Sequence, residues 1–283
     1  MKFGVPLAAE LAELPGLASA AEAAGCESVW VPEHLIWPAV IAPAYPYSES
    51  GEPPVALDVP TYDPWVLLGW IAAHTTRIRL GTSVYILPLR DPHVTARAVA
   101  SLDLVSGGRA VLGVGVGWLA EEFAIAGQDF ATRGARTDEA IAILRALWSE
   151  APASYAGRHY AFPPVHFEPK PPQGARLPIV VGGESEPALR RAARLGDGWI
   201  GLRHTPESAA RVVARLTELR AAAGRGDEPL EVTVGISGSA TVEDVARYAE
   251  AGVDRVCLRP WRKGEAPLDG LTRLSAMIEE VAG

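Results

Sequence analysis

The stretch RIRLGTSVYIL at 77–87, a helical segment over 91–105 and RAVLGV at 109–114 together decide the fold class of this chain. The first and last of these segments are short apolar runs of strand character. The segment between them has apolar residues spaced at three and four, which is typical of a helix packed on one face. Strands that alternate with helices in this way predict parallel pairing.

The same alternation continues on both sides of this stretch. Further strands are predicted at 2–6, 28–32, 178–182, 197–201, 230–236 and 255–259. Further helices are predicted at 10–24, 64–74, 118–126, 135–148, 186–195, 206–223 and 241–251. Eight strands within 283 residues match an α/β fold of the (β/α)8 TIM barrel type, with an open doubly wound sheet as the alternative. No shift in composition divides the chain, so we expect one domain over 1–283.

Composition and charge exclude several classes of partner. Apolar residues make up 48% of the chain, charged residues 21%, and the formal net charge is -8. A negative chain without a basic stripe repels phosphate backbones, so we expect no nucleic-acid partner. No apolar run approaches the roughly 20 residues that span a bilayer, and the amino terminus lacks the apolar core of a signal sequence. We therefore expect a cytoplasmic protein without a membrane segment.

The cysteines, most histidines and several tryptophans are interpreted as structural. Cys26 and Cys257 lie in apolar segments, which favours reduced core thiols over a disulfide. Trp65, Trp70 and Trp148 are spaced as core positions of helices. The histidines other than His34 show no metal-ligand spacing, so no metal site is predicted.

Polar residues and glycines follow several of the predicted strands directly. They are His34, Ser83, the run Gly113–Gly117 and the pair Gly182–Gly183. Because the carboxyl ends of parallel strands open on one side of the molecule, these groups are expected to converge there. The sequence therefore predicts a cofactor pocket at the carboxyl-terminal rim, with insertion loops around it.

Two glycine turns are candidates for binding an anion. In VLGVGVG at 111–117, Gly115 and Gly117 leave backbone amides open just before a helix, where the helix dipole favours an anion. The alternative is a tight strand-to-helix turn. The spacing differs from the GxGxxG dinucleotide motif, and GxxxxGK[ST] does not occur. Gly182 and Gly183 repeat the pattern before Ser185, a favourable helix N-cap.

His34 follows the second strand and is the candidate proton carrier. An imidazole exchanges a proton near neutral pH, which suits a substrate that takes up a hydride. The alternative is a rim histidine that only makes structural hydrogen bonds. The hydroxyls of Thr82 and Ser83 have a similar alternative, in which they satisfy groups within the sheet.

Long irregular segments are expected to cover this pocket. The proline-rich segment 38–60 has no periodicity and is predicted to be a loop that closes over the substrate. The connection 150–178 is a second candidate for the same role.

Four segments of the chain resemble the luciferase-like monooxygenase superfamily. They are RIRLGTSVYILPLRDP at 77–92, SLDLVSGGRAVLGVGVGWLAEEF at 101–123, RGARTDEAIAILRALW at 133–148 and PIVVGGESEPALRRAARLGDGWI at 178–200. They most resemble its branch of oxidoreductases that depend on the deazaflavin coenzyme F420. The resemblance implies a (β/α)8 barrel with a flavin or deazaflavin across its carboxyl-terminal rim, and a homodimer.

The resemblance also implies roles for particular residues. Ser83 and Val84 match a non-prolyl cis peptide that supports the cofactor ring, and His34 matches a residue near the reactive ring face. The other implied cofactor contacts are Thr82, Gly115, Gly117, Trp118, Gly182, Gly183 and Glu184. Trp118 departs from the sugar-phosphate dehydrogenase branch, which has a glutamate acid there, and tryptophan cannot transfer that proton. Glu121 and Glu122 are interpreted as first-turn acids that complement the helix dipole.

Residues and resemblance together predict an oxidoreductase that transfers a hydride between coenzyme F420 and a small organic substrate, with a proton from His34. One alternative is a monooxygenase that uses reduced FMN and dioxygen. Another is a barrel that binds flavin without turnover. An aldolase-like barrel would need a lysine at the end of a strand. Lys2, Lys170 and Lys263 are the only lysines, and none is predicted at that rim.

Overall fold

Strands and helices alternate along the chain, as the sequence predicts. A computed structural model describes residues 1–7, 9–41, 45, 51, 60–236, 238, 240–262 and 264–282. In chain order its strands are β1 (Lys2–Pro6), β2 (Ser28–Val31), β3 (Arg79–Thr82), β4 (Tyr85–Ile86), β5 (Ala110–Gly115), β6 (Ala153–Ala156), β7 (Ala161–Val165), β8 (Ile179–Gly182), β9 (Gly198–Leu202), β10 (Glu231–Gly235) and β11 (Arg255–Cys257). Its helices are α1 (Leu14–Ala23), α2 (Pro64–Ala72), α3 (Pro92–Ser106), α4 (Ala120–Ile125), α5 (Arg133–Ser149), α6 (Glu186–Leu195), α7 (Pro206–Ala222), α8 (Val242–Glu250) and α9 (Pro267–Ala282).

Eight of the strands close into a barrel. Parallel pairs run in the order β1, β2, β3, β5, β8, β9, β10 and β11, and β11 pairs with β1. The prediction of a (β/α)8 TIM barrel is therefore confirmed, and the doubly wound alternative is wrong because these eight strands pair in a closed ring. All carboxyl ends of these strands lie at one end of the barrel.

Two segments differ in detail from the prediction. The strand expected over 77–87 is divided into β3 and β4, and the peptide bond between Ser83 and Val84 is cis, as the resemblance implies. The connection 150–178 contains an antiparallel hairpin of β6 and β7. Glu139 of α5 accepts hydrogen bonds from the backbone of the hairpin turn at 158–160, so the hairpin lies along α5.

A tryptophan fills the middle of the barrel. The side chain of Trp30 is buried, and its indole N–H donates a hydrogen bond of 2.9 Å to the Ser28 hydroxyl. Gly81 and Gly4 provide the space for it. A Cβ atom on Gly81 would lie 2.5 Å from Trp30 Cε3, and one on Gly4 would lie 2.8 Å from Trp30 Nε1. A side chain at either glycine would therefore displace the indole.

Ion pairs close the amino-terminal end of the barrel. The Arg255 guanidinium is fully buried and lies 2.8 Å from a Glu27 oxygen and 2.6 Å from a Glu231 oxygen. It also donates a hydrogen bond of 3.0 Å to the Thr233 hydroxyl. A buried guanidinium is tolerated when carboxylates and hydroxyls satisfy it in this way. Within the described residues, these ion pairs occupy the amino-terminal end, and the cavity described below lies at the carboxyl-terminal end.

The structural interpretation of cysteines and tryptophans is largely confirmed. Cys26 and Cys257 are buried free thiols, and burial raises the pKa of each to about 12. Trp65 and Trp148 are buried, whereas the prediction for Trp70 is wrong, because its side chain is 40% exposed on α2.

Membrane helices and metal sites can be assessed only within the described ranges. There, every helix is too short or too polar to cross a bilayer. The same residues contain no group of three or more side chains that could hold a metal ion.

Glu22 of α1 fixes the backbone that leads into β3. Its carboxylate accepts hydrogen bonds from the backbone N–H groups of Thr76, Arg77 and Ile78, the last at 2.7 Å. Burial acts to raise the pKa of this carboxyl, but the hydrogen bonds outweigh it and lower the pKa from 4.5 to about 2. The charged form therefore stabilises the fold.

We predict that Glu22→Gln lowers the free energy of unfolding by about 1 kcal/mol at neutral pH, because an amide accepts these hydrogen bonds less strongly. The folded pKa lies below the unfolded value, so this contribution is present above pH 4.5 and is lost as the pH falls toward 2. Urea unfolding of both proteins between pH 7 and pH 3 measures it. A difference that does not narrow below pH 4.5 would contradict the assignment.

Candidate active site

A cavity of about 240 Å³ opens at the carboxyl-terminal end of the barrel. Its described lining comes from strand ends and the loops that follow them: Pro6, Trp30, Tyr45, Ser83, Ile200, Leu202, Arg203, Gly235, Ile236 and Cys257. Most of this wall is apolar, and hydroxyls, a thiol and one guanidinium interrupt it. The connection 150–178 contributes none of these described lining residues, and its covering role stays a prediction.

His34 lies at this mouth among aromatic rings. Its imidazole is 15% exposed and lies against Trp37 in a tilted arrangement, with ring centroids 3.8 Å apart and an interplanar angle of 33°. Trp118 stands edge-on to His34 at 6.1 Å, and Tyr45 stands edge-on to Trp118 at 5.1 Å. Because Tyr45 also lines the cavity, these ring contacts connect His34 to it.

Glu122 holds the imidazole of His34. The Glu122 side chain is fully buried, and its Oε2 lies 3.0 Å from His34 Nδ1. Its Oε1 accepts hydrogen bonds from the backbone N–H groups of Leu35 at 2.7 Å and Ile36 at 3.3 Å. The interpretation of Glu122 as no more than a first-turn acid of α4 is therefore wrong. A carboxylate accepts the Nδ1 proton, which leaves Nε2 as the nitrogen available for proton exchange.

Glu33 anchors the same loop from its other side. Its buried carboxylate accepts a hydrogen bond of 2.6 Å from the backbone N–H of Ile86 and a bidentate pair from the Arg90 guanidinium. Burial raises the pKa of Glu33, and the charge of Arg90 opposes that rise. The loop after β2 is thus tied to β4 through Glu33 and to α4 through Glu122, with His34 between the two anchors.

Gly115 and Gly182 make room for Val84. A Cβ atom on Gly115 would lie 2.5 Å from Val84 Cγ2, and one on Gly182 would lie 2.6 Å from Val84 Cγ1. Val84 therefore packs between β5 and β8, on a cluster in the barrel interior that includes Trp30. These two glycines therefore determine where the Val84 side chain lies. The sequence led us to expect instead that their backbone amides are open to an anion.

Two further candidate residues are fixed by local structure: Gly117 by the turn after β5, and Thr82 by the sheet. Gly117 has φ +77°, and a Cβ atom there would lie 2.7 Å from Phe123, so the turn requires glycine. Thr82 is buried, and its hydroxyl donates to the Gly113 carbonyl at 2.7 Å and accepts from the Gly113 N–H at 3.0 Å. The Thr82 hydroxyl thus satisfies backbone groups within the sheet, which is the alternative role that we considered for it from the sequence.

The turn after β8 braces the turn after β9. Gly183 has φ +119°, and Ser185 caps α6 by accepting a hydrogen bond from Ala188 N–H. The Glu184 carboxylate accepts from the backbone N–H of Leu202 at 2.9 Å, and its second oxygen lies 2.8 Å from His204 Nε2. The expected rim position holds for Gly182, Gly183 and Glu184. The Glu184 carboxylate points to His204.

Sequence reasoning missed the partnership of Glu122 with His34, and also Tyr45, Arg203 and His204. Glu122 is 88 residues from His34, so no local pattern reveals the pair. Tyr45 belongs to the segment 38–60 that we expect to cover the substrate. Residues 42–44, 46–50 and 52–59 lie outside the described residues, so the covering role stays a prediction.

Comparison with known proteins gives consistent matches along nearly the whole chain. The family model for luciferase-like monooxygenases matches residues 3–276. An uncharacterized protein of Mycobacterium tuberculosis is 37% identical over 240 residues, which cover 85% of this chain and 82% of that protein. The F420-dependent glucose-6-phosphate dehydrogenase of Kineococcus radiotolerans is 34% identical over 208 residues, which cover 71% of this chain and 56% of that enzyme.

A solved structure supports the fold independently. An F420-dependent secondary alcohol dehydrogenase in complex with an F420-acetone adduct superposes with a TM-score of 0.80 at 17% identity. The match covers 99% of this chain and 98% of that one. At this identity the likeness concerns the barrel itself.

We predict that Glu122→Gln inverts the tautomer of His34. A glutamine amide can still accept from Leu35 N–H, but its NH₂ group would donate to His34 Nδ1 and move the ring proton to Nε2. Nitrogen-15 NMR of histidine-labelled protein at alkaline pH, where the imidazole is neutral, reports which nitrogen carries the proton. His159, on the hairpin turn, is the internal control. An unchanged His34 tautomer would show that Glu122 does not set it.

Proposed function

This chain belongs to the luciferase-like monooxygenase family, and we propose that it is an oxidoreductase that transfers a hydride between coenzyme F420 and a small organic substrate. The observation that carries the proposal is His34 held by buried Glu122 at the only open end of the described barrel. Two relatives above 30% identity support the choice of cofactor, because their names describe F420-dependent oxidoreductases, one of them as putative.

The residues at the mouth fit a flat heterocyclic cofactor. Trp37 Nε1 is buried beside His34 and has no hydrogen-bond partner among the described residues. A buried N–H without an acceptor costs about 1–3 kcal/mol, and a ligand atom there would remove that cost. Of the contacts that the resemblance implies, we propose that six touch the cofactor directly: Ser83, Val84, Gly117, Trp118, Gly183 and Glu184. The other three, Thr82, Gly115 and Gly182, act through the sheet and the position of Val84.

Residues of the chain transfer the proton and orient the reactants. Coenzyme F420, when bound, supplies the hydride chemistry. Glu122 accepts the Nδ1 proton of His34, so Nε2 gives a proton to the substrate or takes one from it. The Glu122 carboxylate stabilises the imidazolium form. Because Trp118 cannot transfer a proton, this role falls to His34, and the apolar wall of the cavity excludes water.

The cofactor proposal is tested by binding. We expect F420 to quench tryptophan fluorescence with saturation, because Trp37 and Trp118 lie at the site, and FMN to quench much less at the same concentration. Binding of FMN alone would replace the proposal with a monooxygenase that uses reduced FMN and dioxygen. Bound F420 without turnover of any carbonyl, enone or alcohol would indicate a binding barrel.

We predict that His34→Asn lowers kcat about 10²- to 10⁴-fold, the usual contribution of a general acid or base. The dissociation constant for F420 should stay within about threefold, because the ring contacts of the neighbouring residues remain. Stopped-flow reduction of F420 with a substrate found by screening measures kcat. Fluorescence titration measures the dissociation constant for F420. His159→Asn, on the hairpin turn, is the matched control. Full turnover by His34→Asn would contradict the proton role.

We also propose a homodimer that forms through the outer face of α2. This face exposes Val66 at 74% and Trp70 at 40%, and Gly69 lies between them. The helix sequence PWVLLGWIA contains no charged residue, so two copies can meet face to face without repulsion. A Cβ atom on Gly69 would meet nothing within 4 Å, which leaves room for close approach of a second helix.

We predict that Trp70→Glu converts the dimer to a monomer, because two buried carboxylates would repel each other across the symmetric interface. Light scattering after size-exclusion chromatography measures the mass, and circular dichroism confirms folding. Leu268→Glu, at an exposed position of α9, is the control and should leave the mass unchanged. A wild-type monomer at micromolar concentration would refute the interface.

A further inference from the structure

Two buried carboxylates, Glu33 and Glu122, fix the loop that carries His34. The Glu33 side chain is 1% exposed, and that of Glu122 is fully buried. Burial raises the pKa of Glu33, and the charge of Glu122 adds to that rise, so the two carboxylates repel each other. Two like charges in a buried site need compensation, because otherwise one of them takes up a proton.

The Arg90 guanidinium compensates the charge of Glu33. It donates a bidentate pair of hydrogen bonds to the Glu33 carboxylate, at 2.6 Å and 2.5 Å. A third hydrogen bond comes from the backbone N–H of Ile86 at 2.6 Å. A carboxylate accepts all three, whereas a protonated carboxyl would need an acceptor for its own proton. The geometry is therefore that of an ionised pair, although burial works against the charge of Glu33.

Other charged and titratable groups act on Arg90 more weakly than Glu33 does. Burial acts to lower the pKa of Arg90, but the charge of Glu33 outweighs it and raises the pKa. Tyr85 of β4 places its ring 4.6 Å from Arg90 Cζ, and Asp63, before α2, adds a smaller favourable charge. The aromatic rings beside His34 carry no charge. The main electrostatic partner of Arg90 is thus the carboxylate next to His34 in the sequence.

We propose that Arg90 is a positioning residue that acts on His34 by charge. It cancels the charge of Glu33, so that the imidazole is paired with one carboxylate, that of Glu122, and not with two. The coupling bears on turnover only if His34 is the proton carrier, so in this respect it rests on the proposed function. A general acid must release its proton as well as bind it. A second uncompensated carboxylate would hold the proton on the imidazole and slow its release.

The first test removes the charge of Glu33. We expect Glu33→Gln to lower the pH at which His34 titrates by about one pH unit, because the charge of Arg90 is then uncompensated near the imidazole. The double variant Glu33→Gln/Arg90→Met carries neither charge and should return the titration midpoint to the wild-type value. Nitrogen-15 NMR of the histidine-labelled full chain measures the midpoint, and the signal missing from His34→Asn identifies His34. Glu250→Gln, at an exposed position of α8, controls for the lost negative charge.

The double variant separates charge from structure. Both variants lose the ion pair and its bidentate hydrogen bonds, so a purely structural role predicts the same displacement of the His34 midpoint in both. A lower midpoint in Glu33→Gln that returns in the double variant supports the coupling. Equal displacement in the two variants, or an unchanged midpoint in Glu33→Gln, would overturn it.

Arg90→Met provides a second measurement that does not require Glu33→Gln to fold. Without the guanidinium, burial and the charge of Glu122 should leave Glu33 protonated at neutral pH. Infrared spectroscopy should then show the C=O stretch of a buried carboxylic acid, which the wild type and the double variant lack. Absence of this band from Arg90→Met would overturn the role of Arg90. Thermal melting followed by circular dichroism confirms that each variant is folded.

All of these measurements use the full chain without cofactor, which separates the coupling from the proposed function. Coupling at His34 in a protein that binds neither F420 nor FMN would sink the proposed function and leave the coupling standing. Binding of F420 to a protein whose His34 midpoint ignores the charge of Glu33 would leave the proposed function intact and overturn the coupling.

Discussion

The indole of Trp30 fills the middle of the barrel, and the arrangement of the mouth depends on it. Protein interiors are close-packed, and this ring takes the space at Gly81 and, together with the Cys257 thiol, the space at Gly4. Val84 packs against the cluster that contains this ring, in the space that Gly115 and Gly182 leave between β5 and β8. Arg255 is paired at the opposite end of the barrel, and Trp30 lines the cavity at the carboxyl-terminal end.

Carboxylates that accept backbone N–H groups from a neighbouring segment hold the rim loops in place. Glu33 accepts from β4, Glu122 from the loop after β2, and Glu184 from the end of β9. Each of these carboxylates also contacts an ionisable side chain. The partner is a guanidinium for Glu33 and an imidazole for Glu122 and Glu184. The loops are therefore positioned without a ligand, a requirement for groups that must meet a reactant within a few tenths of an ångström.

The sequence predicts the barrel well because strand and helix periods are local properties, and the carboxyl ends of parallel strands lie together in any closed barrel. It predicts less of the site because the decisive contacts join distant segments, as Glu122 and His34 do across 88 residues. Glycines are the hardest to interpret. Gly115 and Gly182 leave space for the Val84 side chain because they lack Cβ atoms. In the sequence, a glycine that makes space for a neighbouring side chain looks the same as a glycine that exposes its amide to an anion.

The distribution of polar groups at the mouth constrains the chemistry that it can support. Transfer of a hydride to a carbonyl or an enone, the function that we propose, requires one accompanying proton, and the proposed carrier is His34 with its imidazolium form stabilised by Glu122. Trp118 removes the second acid that the sugar-phosphate dehydrogenase branch has at this position. On the proposed function, Trp118 and His34 thus have different roles: the tryptophan contributes a ring contact, and the imidazole moves the proton.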